Sequence, residues 1–151
     1  MSDAELVTGA LALDKYSVSR LITLFEDRRA DAPGRRERVL AMLDERDSAA
    51  DGSIIGVTGT PGSGKSTLMS RLTVDLLDED ETLSIAVVAV DPSSHISGGA
   101  LLGDRTRMRF VPDERRLFFR SQASDSDLGG LGPSSFHVCR LLNRLFDCVM
   151  I

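Results

Sequence analysis

The chain carries no basic excess, almost no cysteine and no long apolar run, and each shortage removes a class of function. Eighteen Lys and Arg stand against 23 Asp and Glu, a formal net charge of −5. Nucleic-acid binding draws most of its affinity from neutralising phosphates, so this balance disfavours a nucleic-acid partner. The two cysteines, Cys139 and Cys148, lack metal-ligand spacing and read as reduced, buried small hydrophobes. The longest apolar run, residues 85–90, is far shorter than the roughly 18 residues a membrane span requires. No basic-then-apolar leader opens the chain at Met1. A cytoplasmic protein without a membrane segment is expected.

What is present suits one ordinary domain: 151 residues, 42% of them hydrophobic. Residues 1–50 read as a helical amino-terminal extension. Val18, Leu21, Ile22 and Phe25 recur at the three-and-four spacing of one helix face, and Val39, Met42 and Leu43 mark a second helix. Asp31-Ala32-Pro33-Gly34 is expected to punctuate the two, and the polar stretch 46–53 to link them to a second region, residues 51–151.

There the period changes. Residues 54–57 and 84–90 are short β-branched runs, as expected for strands covered on both faces of a parallel sheet. Leu68, Leu72 and Leu76 between them recur every four residues, the spacing of a helix. Strand, helix and strand make a βαβ unit, so the expected class is α/β with a mostly parallel sheet. A third strand at 117–119, a helix at 134–146 and a last strand at 148–151 follow, the last expected to leave an open sheet edge prone to aggregation.

Between the first strand and the helix stands GTPGSGKST, residues 59–67. Gly59, Gly64, Lys65 and Ser66 fill the pattern G-x-x-x-x-G-K-[ST] in the strand-to-helix context that gives the pattern its meaning. Glycines let the backbone close on phosphate with its NH groups inward, and the helix start adds its positive end. The whole loop, Gly59, Thr60, Pro61, Gly62, Ser63, Gly64, Lys65, Ser66 and Thr67, is therefore the candidate nucleotide-binding segment. Lys65 supplies a charge for the outer phosphates, Ser66 a hydroxyl ligand for Mg²⁺, and Thr67 a contact to an inner phosphate. Threonine at 60 excludes the variant loop that carries a second lysine.

Asp91 ends the second run, at the carboxyl edge where open α/β sheets place ligands, and Asp104 follows thirteen residues later. Both are candidates for the metal and hydrolysis site, with Gly98, Gly99 and Gly103 allowing the backbone between them to move. The alternative is a turn at Asp91-Pro92-Ser93-Ser94 and a surface charge at Asp104. His137 and Cys139 face different sides of one helix and form no nucleophile pair. Arg105, Arg107 and Arg109 fit a phosphate-facing cluster or a solvated face. Arg120 is a candidate to neutralise Asp91 or Asp104 from the next strand.

The residues GVTGTPGSGKSTL, then AVVAVDPSSHISGGALLGDRTRM and FRSQASDSDLGGL, resemble the MeaB/ArgK group of P-loop GTPases, the methylmalonyl-CoA mutase-associated GTPases, from about residue 14 to residue 151. The resemblance implies a G domain that binds GTP and GDP, with Lys65, Asp91 and Asp104 in the catalytic shell and Ser66, Asp91 and Asp104 around Mg²⁺. It also implies a chaperone that couples GTP hydrolysis to cofactor loading or protection of an adenosylcobalamin-dependent acyl-CoA mutase. His95 and the run SQASDSDLGG depart from the group's pattern and put local switch contacts in question, not the phosphate loop. A glutamate-threonine-valine-glycine γ-phosphate sensor, an asparagine-lysine-x-aspartate guanine reader and a carboxyl-terminal homodimerisation arm are expected of the group and do not occur within these 151 residues. An incomplete, weakly active G domain is therefore expected. GTP over ATP rests on the resemblance alone; a metabolite kinase or a non-catalytic partner-binding module are the other readings of the loop.

Overall fold

Ser2 accepts a hydrogen bond from the Glu5 amide while the Glu5 carboxylate accepts one from the Ser2 amide, a capping box that starts the first helix. The computed structural model describes residues 1–45, 52–91, 114–123 and 131–151; for Asp91 and Ala123 it describes the backbone alone. Three helices rather than two occupy the amino-terminal region: α1 (Asp3–Leu11), α2 (Lys15–Glu26) and α3 (Ala32–Asp44). Pro33 does not separate helices. It sits in the first turn of α3, where a missing amide proton costs no helical bond.

The remaining described elements are β1 (Ser53–Ile55), α4 (Lys65–Glu79), β2 (Ile85–Asp91), β3 (Leu117–Ala123), α5 (Pro133–Leu142) and β4 (Cys148–Met150). The four strands form one sheet in the order β1-β4-β2-β3, and every pairing is parallel. The class is thus α/β, as expected. The last strand is not an edge, however: β4 lies between β1 and β2, and the open edges among the described residues are β1 and β3.

Strand alternation divides the sheet's side chains between two layers. Ala86, Val88, Phe118 and Val149 pack with Val7, Val18, Leu21, Ile22, Phe25 and Val39 of α1–α3 and with Val138, Leu141 and Leu142 of α5 in one buried cluster. Ile85, Val87, Leu117, Cys148 and Met150 point the other way and pack on Met69 and Leu77 of α4. Residues 85–88 of β2 are wholly buried, which is why they read as an unbroken apolar run.

β1 departs from the expectation of burial on both faces. Ile54 keeps 51% and Ile55 40% of their surface exposed. The leucine repeat of α4 also lies off the core: Leu68 is 60% exposed and Leu72 37%, while Met69, Thr73 and Leu77 carry the buried stripe one position on.

Two polar ties hold the sheet to its surroundings. The Asp147 carboxylate accepts hydrogen bonds from the Ser84 amide (2.8 Å) and hydroxyl (2.7 Å), joining the starts of β4 and β2. Arg120 and Gln122 of β3 both donate to Glu26 at the end of α2, at 2.7 and 2.8 Å. Arg120 thereby engages the helical layer through Glu26; Asp104 and the Asp91 side chain, the acidic groups considered for it, lie outside the described residues. Gly52 passes so close to the turn after α5 that an added Cβ would stand 2.3 Å from the Phe146 carbonyl.

Candidate functional site

β1 ends against β4, with Ile151 donating to the Ile55 carbonyl (2.9 Å) and Val57 donating to the Ile151 carbonyl (2.7 Å). The chain then leaves the sheet through residues 58–64 and re-enters regular structure at Lys65. Within the loop the Ser63 amide donates to the Thr60 carbonyl at 3.2 Å, and Leu68 closes the first helical turn on the Gly64 carbonyl at 2.9 Å. Gly64 precedes α4 in the left-handed region, φ 89° and ψ 11°, which glycine adopts without a Cβ penalty. Gly64 has no side chain to cap this helix, so among the described residues its first amide groups have no side-chain cap.

Lys65 folds back over the loop. Its Nζ donates to the Gly59 carbonyl at 2.8 Å and to the Thr60 carbonyl at 2.9 Å. A Cβ on Gly59 would crowd Ser63 Oγ at 3.1 Å and touch Lys65 Cδ at ordinary contact distance, 3.5 Å, so the loop is tightest at position 59 against Ser63. Ser66 is half-buried in the first turn of α4, and Thr67 beside it is exposed. Residues 59–67 therefore run as one loop into the start of α4, with the Lys65 ammonium bonded back onto the loop's own carbonyls.

Asp91 is the last residue of β2, in register with Ala123 of β3. Because all four strands are parallel, it ends at the same sheet edge as β1 and the loop, with β4 between β2 and β1. Two strand spacings put the β1 and β2 backbones roughly 10 Å apart. Asp104, His95, Arg105, Arg107 and Arg109 lie outside the described residues. Among the described residues no group of three or more His, Cys, Asp or Glu could hold a metal by itself.

The cysteines take no part. Cys139 and Cys148 are free and buried, and burial pushes the Cys139 thiol up to about 11, which keeps it protonated and unreactive. His137 is half-buried and Cys139 buried on α5, away from the loop-bearing face. Sequence reading missed the lysine-carbonyl contacts and the Glu26 clasp. The clasp joins residues 94 and 96 positions apart, for which no local pattern exists.

A parallel sheet whose first strand runs through a glycine-rich loop into a helix opening on lysine and serine defines a P-loop nucleotide-binding protein. Residues 18–151 match the family described as "Methylmalonyl Co-A mutase-associated GTPase MeaB". The chain belongs to that family of GTPases.

Among curated relatives, a Pyrococcus horikoshii protein is 35% identical over 147 residues, covering 97% of this chain and 44% of its own length. The fused isobutyryl-CoA mutase of Cupriavidus metallidurans is 37% identical over 145 residues, 93% of this chain and 12% of that protein. GTPase ArgK of Escherichia coli is 40% identical over 98 residues, 64% of this chain and 29% of its own. The chain thus spans less than half the length of these relatives. A crystal structure of an LAO/AO transport system kinase superposes with a TM-score of 0.61 over 98% of this chain and 41% of its own, at 24% identity, a likeness of fold.

Proposed function

We propose that this chain is the nucleotide-binding portion of a GTP-hydrolysing chaperone for an adenosylcobalamin-dependent acyl-CoA mutase, and that the 151 residues alone bind GTP weakly and turn it over slowly. The observation that carries the nucleotide reading is the Lys65 ammonium held over the loop by two backbone carbonyls. Those carbonyls occupy the ammonium as phosphate oxygens would, and a bound phosphate offers it full negative charge in their place.

The roles follow from the residues. Backbone amides of the loop and of the first turn of α4 bind the inner phosphates; Lys65 neutralises the outer ones and fixes their orientation. A divalent magnesium ion fits the donor set, because Ser66 offers a hard hydroxyl oxygen and Asp91 stands at the same sheet edge, while Asp104 completes the proposed set. With no self-sufficient protein cluster among the described residues, such an ion takes its other ligands from phosphate and water, as Mg²⁺ commonly does. Bound there, Mg²⁺ would supply charge neutralisation for the transferring phosphoryl group.

The mutase partner is supported by the family's description and by the relative in Cupriavidus metallidurans whose printed name is a fused isobutyryl-CoA mutase. Two free, buried thiols suit the reducing cytoplasm proposed for it. Low activity is proposed because no asparagine-lysine-x-aspartate run occurs in the sequence to read guanine.

A turnover assay with GTP, ATP and Mg²⁺ tests the reading. Hydrolysis below the usual enzyme range of about 1 s⁻¹, favouring GTP and lost in Lys65→Ala, is expected. Ordinary enzyme rates would overturn the weak-fragment part, and transfer of the γ-phosphate to a metabolite would replace hydrolase with kinase.

A further inference from the structure

A cavity lined by both apolar and charged side chains lies on the face of the sheet opposite α4. It has a volume of about 90 Å³ and is floored by Phe25, Pro33 and Leu40, with Arg36, Glu37, His137 and Arg140 on its walls. The residues come from α2, α3 and α5, none of which contributes to the phosphate loop.

Among the described residues the cavity's cations outnumber its carboxylates, Arg36 and Arg140 against Glu37. Arg36 is pinned by Nη1, which donates to the carbonyls of Phe25 (3.3 Å) and Asp27 (2.9 Å) at the end of α2. That leaves its Nε and Nη2 without hydrogen bonds among the described residues. Arg140, exposed in the last turn of α5, makes no ion pair among them either. Glu37 lines the same cavity. The hydrogen bonds of the nearby carboxylates go to other groups, Glu26 to Arg120 and Gln122 and Asp27 to Arg29, although the Asp27 charge is still felt by Arg36. Burial first, then the positive charges of Arg36 and Arg140, hold the His137 imidazole below its ordinary pKa. Two cations, one carboxylate and a suppressed imidazole therefore share one concavity, a local positive excess in a chain whose net charge is −5.

We propose that the pocket between α2, α3 and α5 binds a small carboxylate or phosphate-monoester anion through Arg36, His137 and Arg140, with its short apolar portion on Phe25, Pro33 and Leu40. A planar guanidinium with Nε and Nη2 open offers a two-pronged donor to a two-oxygen group. The cavity volume admits a head group and a few carbons, not a nucleotide. This site is independent of the phosphate loop and of the function proposed for it.

The test is a proton NMR titration of the 151-residue chain in the Lys65→Ala background, which removes the loop lysine from phosphate binding. Sodium butyrate and inorganic phosphate are the probes, chloride the ionic-strength control, and the His137 ring resonance, assigned with His137→Gln, the readout. A saturable shift of that resonance with either probe, half-complete at about 1 mM, is expected, with an upward move in the His137 titration midpoint. Arg140→Glu, and the milder Arg140→Gln, should weaken binding by roughly tenfold or more without changing the thermal midpoint. No saturable shift with either probe, equal shifts with chloride, unchanged binding in both Arg140 variants, or binding of an acidic peptide but neither small anion would overturn the proposal.

Discussion

Asp147 and Ser84 exchange three hydrogen bonds across the start of the sheet: the carboxylate accepts from the Ser84 amide and hydroxyl, and the Asp147 amide donates to the same hydroxyl at 3.1 Å. The pair fixes the register of β4 beside β2, and with it the edge where the loop and Asp91 end. Asp147→Ala removes a charged acceptor and leaves the amide of buried Ser84 unpaired, a loss of about 1.5–3 kcal/mol. Urea unfolding of the two proteins measures it. A loss under about 0.5 kcal/mol, the scatter of ordinary surface substitutions, would assign register to packing alone.

Gly52 answers a steric demand rather than a flexible link. Gly52→Ala places a methyl 2.3 Å from the Phe146 carbonyl and 3.2 Å from that of Asn143, and backbone cannot yield as a side chain does. Overpacking of this kind costs typically about 1–3 kcal/mol. The thermal midpoint of Gly52→Ala should fall accordingly, and an unchanged midpoint would mean that the chain before β1 shifts freely.

Acid should destabilise the fold in a defined window. Asp3, paired with Arg35, and Glu114, paired with Arg116, are held below their ordinary values of 3.8 and 4.5, and the bonds from Arg29 bring Asp27 to about 2. Depressed folded-state values mean that the stabilisation is present above the ordinary values and is lost as pH falls through the folded ones. Melting temperatures should thus hold above pH 4.5 and decline toward pH 2, with a shallower decline in Asp3→Asn. A flat profile across that range contradicts these pairings.

The open strand β1 predicts self-association. Its bonds to β4 use Ser53, Ile55 and Val57, which by alternation leaves the Ile54 backbone toward the free edge, beside two half-exposed isoleucines. Ile54→Lys should raise the monomer fraction in sedimentation at fixed concentration. If the variant associates as readily as the parent, contact through this edge is ruled out.

Legibility followed locality. The phosphate loop was readable because its chemistry is confined to nine consecutive residues, and β2 because burial on both faces leaves an uninterrupted apolar run. α1 was not separated from the helix after it because its apolar set, Leu6, Val7 and Ala10, spans barely two turns, although Ser2 and Glu5 carried a capping signal. The exposed Leu68 and Leu72 show why a periodic leucine row does not name the core face: the stripe that packs is Met69, Thr73 and Leu77. Strand order was not readable, since placing β4 between β1 and β2 depends on pairings such as Ser53 with Cys148 and Ile85 with Cys148, far apart in the chain. Nor was the clasp of Glu26 on Arg120 and Gln122, which joins residues 94 and 96 positions apart.

The central claim is that residues 59–67 hold the phosphates of a nucleotide with Lys65 as their fixed charge. Calorimetric titration of the chain with GTP, GDP and ATP in Mg²⁺, repeated on Lys65→Ala, tests it most directly. The account predicts saturable binding of GTP and GDP that weakens by about tenfold or more in the variant, at an unchanged melting temperature because the lysine contacts are exposed. Equal heats from chain and variant, or none from either, would contradict it.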